Sequence, residues 1–145
     1  MYKLVSFILV FTVIKSVAQQ TPYEIHQYNY TATYSECISF YENLAKQYET
    51  VQCMPYGMTD AGKPLHLVLI SSDKEFEPEI WQQKNKVIFL INNGIHPGEP
   101  DGIDASMLWV RDIAEKKIIL PPNIVIALIP IYNIGGMLQR GKIFV

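Results

Sequence analysis

Hydrophobic and polar positions fall into segments of different period along this chain. Cys37, Tyr41, Leu44 and Tyr48 recur at helical spacing, with Phe40 and Ala45 beside them, while Glu36, Glu42 and Lys46 fall on the other side. Thr33 and Glu36 stand three apart, the pattern of a reciprocal N-terminal cap. Together they predict an amphipathic helix over residues 34–48, its aromatic stripe serving as core. Two β-prone runs follow, 51–56 and 65–70. Thr59 to Pro64 between them is turn chemistry, so the pair predicts a β-hairpin. His66 alternates into the second run and reads as a structural or exposed histidine rather than a ligand. Residues 71–86 are charged and break the apolar pattern. They predict a loop with a helical turn around Pro78 to Gln83.

"VIFLI" at 87–91 is a continuous apolar run, as a fully buried central strand requires. From Ile103 to Lys116, the residues Ile103, Met107, Val110 and Ala114 line one helical face, widened by Leu108, Trp109 and Ile113. Asp101 and Asp104 at its start and Lys116 and Lys117 at its end complement the helix dipole. "IVIALIPIY" at 124–132 predicts a second buried strand. Strand, helix, strand makes one βαβ unit with parallel strands and a right-handed crossover. "NIGGMLQRGKIFV" at 133–145 begins as a glycine-rich turn and ends on an apolar run. Residues 19–32 are polar, tyrosine-rich and aperiodic, and read as an extended lead-in. The predicted class is therefore α/β: a mixed, partly parallel sheet with flanking helices. Buried parallel strands need cover on both faces, and only two full helices are predicted. Residues 87–91 and 124–129 are thus expected to leave exposed edges or faces.

Composition refines this picture. With 145 residues, 49% of them hydrophobic, the chain suits one ordinary domain with a packed core. The net charge of −2 is unremarkable, and the scattered lysines and arginines offer no nucleic-acid surface. The first eighteen residues differ from the rest. Lys3, an apolar run from Leu4 to Ile14, then Ser16 and Ala18 form the three-part layout of a secretory signal, with cleavage after Ala18. The run is too short to span a bilayer comfortably; an uncleaved N-terminal anchor is the alternative. Loss of residues 1–18 removes Lys3 and Lys15 and no acid, leaving 10 basic and 14 acidic groups, a net of −4. The expected location is secreted or periplasmic, with no membrane span in the mature chain and no nucleic-acid partner. Export permits a Cys37–Cys53 disulfide, but both cysteines sit in apolar patterns where a buried free thiol is equally natural. Asn29-Tyr30-Thr31 fits a glycosylation sequon, which matters only in a glycosylating host.

The candidate chemistry lies in "INNGIHPGEPDGID", residues 91–104. His96 and Glu99 are two potential metal ligands three apart on a turn, with only Pro97 and Gly98 between them. They follow an apolar strand and precede a helix, at the carboxyl end of a parallel strand where open α/β sheets keep their sites. A neutral imidazole and a carboxylate suit Zn²⁺, with affinity falling in acid. The spacing alone is weak: three histidines and nine glutamates in 145 residues give roughly 0.2 such pairs by chance. The competing reading is an ordinary polar turn, with Glu99 and the aspartates solvated near a helix N-terminus.

"NNGIHPGEPDGID" resembles the first zinc-binding segment of the M14 zinc carboxypeptidases, and more closely a bacterial secreted branch of that family. "TDAGKPLHLVLIS", "VIFLINN" and "IPIYNIGG" agree in order over roughly residues 23–136. The resemblance implies a mixed α/β/α fold with zinc at the strand ends, and His96 and Glu99 as the first two zinc ligands. It implies hydrolysis of the C-terminal peptide bond of a peptide or protein. The family's third ligand, a histidine, lies much further along, followed by its general-base glutamate. No histidine follows Glu99 here, and Arg140, the only arginine after residue 132, matches none of the family's substrate-gripping segments. Catalytic residues are therefore absent and substrate-binding residues unknown. The expectation is a truncated N-terminal part, residues 33–145, inactive alone and carrying an incomplete Zn²⁺ site. A non-catalytic exported binding protein on a partial fold, or part of a related zinc deacylase, are the alternatives.

Overall fold

The computed structural model describes residues 19–140, so the predicted signal segment 1–18 and the apolar ending 141–145 lie outside the described residues. Five helical pieces and four strands follow in order: α1 (Pro22–Ile25), α2 (Tyr34–Gln47), β1 (Val51–Met58), β2 (Pro64–Ser71), α3 (Pro78–Gln83), β3 (Val87–Asn92), α4 (Asp101–Ala114), β4 (Ile124–Ile129) and α5 (Ile134–Gln139). The Thr33–Glu36 cap forms in both directions at the start of α2. The hairpin forms in the predicted place, Val51 opposite Ile70, closed by a turn in which Gly62 takes a left-handed φ of +69°.

The strands make one sheet in the order β1-β2-β4-β3. β2 pairs antiparallel with β4, and β3 pairs parallel with β4, so the sheet is mixed. Its alternating side chains feed two cores. Val68 and Ile70 of β2 and Ile126 and Leu128 of β4 pack with Tyr41 and Leu44 of α2 and Ile103, Met107 and Val110 of α4. On the other face Leu69, Val125 and Ala127 meet Trp81 of α3, whose indole N–H donates to the Glu75 carbonyl at 2.8 Å.

Four expectations need correction. Residues 87–91 are not a central strand: β4 takes the inner position and β3 lies at the edge. Val87, Ile88, Phe89 and Leu90 are 53–63% exposed, because an edge strand has a neighbour on one side only and α3 covers the sheet elsewhere. The exposure expected for 124–129 fails for the same reason, since β4 between two strands is buried along most of its length. Residues 134–139 are helical rather than a glycine turn: the Asn133 side chain accepts from the Gly136 N–H at 2.9 Å and starts α5. The lead-in also contains a turn of helix, α1, fixed by a Thr21–Glu24 cap. No disulfide joins Cys37, which is buried, to Cys53, which is partly so; both are free.

Candidate metal centre

The two loops that leave β3 and β4 are bound to each other, and this sets the site. After β3, the Asn93 N–H donates to the Ile129 carbonyl at 3.0 Å, and the Asn93 carbonyl accepts from Tyr132 at 2.8 Å. The Gly94 carbonyl accepts from Asn133 at 3.0 Å. Gly94 sits at φ +64°, and a Cβ there would meet Ile103 at 3.2 Å and Ile131 at 3.4 Å, so a side chain would crowd the core under the turn. Asn93 reaches the other way, its amide donating to the Ser106 hydroxyl at 2.7 Å across the first turns of α4.

On this base stands the His96–Glu99 turn, closed by the Glu99 N–H donating to the His96 carbonyl at 2.9 Å. Pro97 is buried and abuts Gly136 of α5, where an added Cβ would meet the proline ring at 3.0 Å. The turn is thus anchored at its middle, while the two side chains stand free. His96 is 75% and Glu99 81% exposed, with Nδ1 and Oε2 at 3.9 Å. Two donors bound to one Zn²⁺ at about 2.0–2.2 Å in tetrahedral geometry lie roughly 3.4 Å apart. The pair is therefore within a small side-chain rotation of a chelating separation.

The pair fits half of a zinc site. A catalytic zinc needs three protein ligands, and among the described residues no group of three or more His, Cys, Asp and Glu side chains is placed to hold a metal ion. His26 does not join them: its ring packs on Tyr30, with centroids 4.3 Å apart. His66 is buried, with Nδ1 at 3.1 Å from the Pro64 carbonyl and 3.4 Å from the Tyr34 hydroxyl, as befits a structural histidine. Asp101 at the start of α4 is exposed, in keeping with a dipole-complementing acid, but Asp104 is buried. It accepts from the Thr31 hydroxyl and, at 3.1 Å, from the Ala32 N–H. A cleft of about 490 Å³ lies beside the turn, between Thr59 and Asp60 of the hairpin and Ile95, Tyr132 and Asn133.

Sequence reasoning singled out the turn from His96 to Glu99, which the structure places after β3, but missed what holds that turn. Asn93 and Asn133, each just beyond the end of a parallel strand, and Gly136 carry that burden. The sequence signal for the two asparagines is a short polar stretch after each apolar run, at 92–93 and at 133; Gly136 has none.

No protein-family model matches the chain, and no curated protein does. Solved structures do. Carboxypeptidase A from Helicoverpa armigera superposes with a TM-score of 0.62 at 19% identity, over 75% of this chain and 26% of that one. Bovine thrombin-activatable fibrinolysis inhibitor in complex with tick carboxypeptidase inhibitor gives 0.62 at 19%, over 80% and 36%. A further structure of thrombin-activatable fibrinolysis inhibitor gives 0.63 at 17%, over 86% and 30%. The chain thus spans between 26% and 36% of these structures, and what it shares with them is a carboxypeptidase-like mixed α/β fold.

Proposed function

We propose that residues 33–145 are the first part of a zinc metallocarboxypeptidase domain, in which His96 and Glu99 are two of the zinc ligands. The observation that carries this reading is the His-Pro-Gly-Glu turn at the carboxyl end of β3, clamped beneath and free at its two donors, within a carboxypeptidase-like fold. The third ligand and the general base come from polypeptide outside the described residues. When bound with a third ligand, zinc supplies an activated water and a polarised carbonyl for hydrolysis of a C-terminal peptide bond. What this chain's own residues do is narrower. Pro97 and Gly136 fix the turn, and Asn93 and Asn133 fix the loops beneath it. His96 and Glu99 present one nitrogen and one oxygen to the same point.

Residues 1–18 support export, so the protein acts in the periplasm or outside the cell; among the described residues no helix is long and apolar enough to cross a membrane. The substrate is then a peptide or protein C-terminus.

The test is zinc titration of the chain and of its His96→Ala and Glu99→Gln variants. Two ligands predict weak one-to-one binding that each variant weakens about tenfold or more, with unchanged circular dichroism. Equal binding in all three would sink the assignment. In a longer protein that carries the third histidine, His96→Ala is expected to abolish zinc binding and activity together while leaving the fold largely intact.

A further inference from the structure

Cleavage after Ala18, the junction that the signal pattern marks, makes Gln19 the first residue of the exported chain. Gln19 is also a residue that the fold holds. Its side-chain amide nitrogen donates to the Phe40 carbonyl at 3.3 Å, and its own carbonyl accepts from the Arg111 guanidinium at 3.2 Å. Its amide oxygen Oε1 is buried and has no hydrogen-bond partner among the described residues.

Glutamine at an N-terminus carries its own chemistry. The free α-amine and the side-chain amide carbon Cδ belong to one residue, close enough to meet in an unstrained five-membered ring, and this proximity favours reaction between them. Attack of the α-nitrogen on Cδ forms the N–Cδ bond, and the Cδ–Nε2 bond breaks. The proton lost by the amine goes to the leaving nitrogen, which departs as ammonia. No oxidant, reductant or second substrate enters the step.

The surroundings favour the closed form. A free α-amine has a pKa of about 8 and is positively charged at neutral pH. Here that charge stands in the same residue as the carbonyl held by Arg111, whose side chain is only 8% exposed. The carboxylates beside it are already engaged. Glu24 Oε2 accepts from Arg111 at 2.5 Å, from the Thr21 N–H at 2.8 Å and from the Thr21 hydroxyl at 3.1 Å. Asp112 Oδ1 accepts from Arg111 at 3.2 Å and from Lys117 at 3.3 Å. An ammonium at Gln19 therefore adds a like charge next to a guanidinium that is largely shielded from water, where repulsion is strongest. The lactam is neutral and removes it. Closure gives up one hydrogen bond, the 3.3 Å contact to Phe40, and leaves in place the Gln19 carbonyl that Arg111 holds.

We infer that Gln19 is a modification site: the exported chain begins there, and the residue is closed to a pyroglutamyl lactam, a neutral N-terminus beside the Arg111–Glu24 pair. Such a terminus offers no α-amine to an aminopeptidase. The inference rests on the export reading of residues 1–18 and does not depend on the metal reading.

The test uses the full chain, expressed with its own residues 1–18 in a Gram-negative bacterium and recovered from the periplasm. Intact mass is taken before any digestion, at harvest and after prolonged warm incubation at neutral pH, and the terminus is challenged with an amine-reactive label. Gln19→Asn, one methylene shorter, could close only to a strained four-membered ring and serves as the open control. The expected parent chain starts at residue 19, is lighter by one ammonia, and leaves nearly all of its N-termini unlabelled, while Gln19→Asn keeps its amine and takes the label. A parent chain that starts at residue 19 and still carries a free amine after incubation overturns the lactam and leaves the export reading standing. A chain that retains Met1, or starts at another residue, overturns the cleavage after Ala18 and the lactam with it.

Discussion

The two cysteines show how far a single side chain's surroundings set its chemistry. Burial drives the Cys37 thiol far above its ordinary range, with the nearby Asp104 and Cys53 adding to the effect. Burial, helped by Glu42, pushes Cys53 up to about 12. The thiolate is the reactive form. At pH 8 Cys53 therefore holds on the order of a thousandfold less thiolate than an exposed cysteine. Both cysteines of the folded chain are expected to resist a thiol reagent for hours and to react within minutes once the chain is unfolded in guanidinium. Fast labelling of either without denaturant would contradict the packing of α2 on β1. The sequence left bridge and free thiol open because the choice depends on how α2 lies across the hairpin, which no local pattern encodes. His96 and Glu99 are the reverse case. Their spacing and place after a strand were legible, because a two-residue gap on a turn leaves little freedom.

Among the elements, those with their own caps and periods emerged from the sequence with little error. α2 starts at the predicted threonine, both hairpin strands fall where alternation and turn residues put them, and α4 runs along its predicted apolar face. The failures share one cause. A continuous apolar run shows that a strand belongs in a sheet, not where; the central place went to β4 because it pairs on both sides. The glycines of α5 read as a turn, yet Asn133 caps the segment and Gly136 is needed for the approach of Pro97. By its position Asp104 is expected to complement the α4 dipole. It is instead the anchor of the lead-in, accepting from Thr31 and Ala32. Asp104→Ala leaves a buried N–H without its acceptor and is expected to destabilise the fold by about 1–3 kcal/mol. Asp104→Asn, which keeps one carbonyl oxygen, should cost less. Urea midpoints of the three proteins decide this, and equal midpoints would mean that the lead-in contributes nothing to stability.

On the scale of the whole molecule, carboxylates tie separate parts together, and this gives the fold a pH dependence. Asp73, between β2 and α3, is held well below the ordinary range chiefly by its hydrogen bond with Lys86, helped by Ser71. Burial pushes Glu24 up, but the Arg111 guanidinium and Thr21 more than offset this and hold it below its usual value. Glu36 shows the same balance, with Thr33 and Tyr30 lowering it against burial. A carboxylate depressed in the folded state contributes stability that is full above its unfolded pKa, about 4, and is lost as pH falls through the folded value. Thermal midpoints are therefore expected to hold steady from pH 7 to about 5 and to drop progressively below about 4. A midpoint at pH 3 equal to that at pH 7 would show these pairs to be energetically silent.

The lead-in carries one more consequence. Its carboxylate Glu24 is gripped by Arg111, its Thr31 hydroxyl by Asp104, and the carbonyls of Thr31 and Ala32 by the Arg140 guanidinium at 3.2 Å each. These partners lie 73 to 109 residues further along the chain. The ribosome makes this segment before the Asp104, Arg111 and Arg140 side chains that hold it. The lead-in therefore lacks these long-range holds until residue 140 has been made, whereas the local β1–β2 hairpin can form before then.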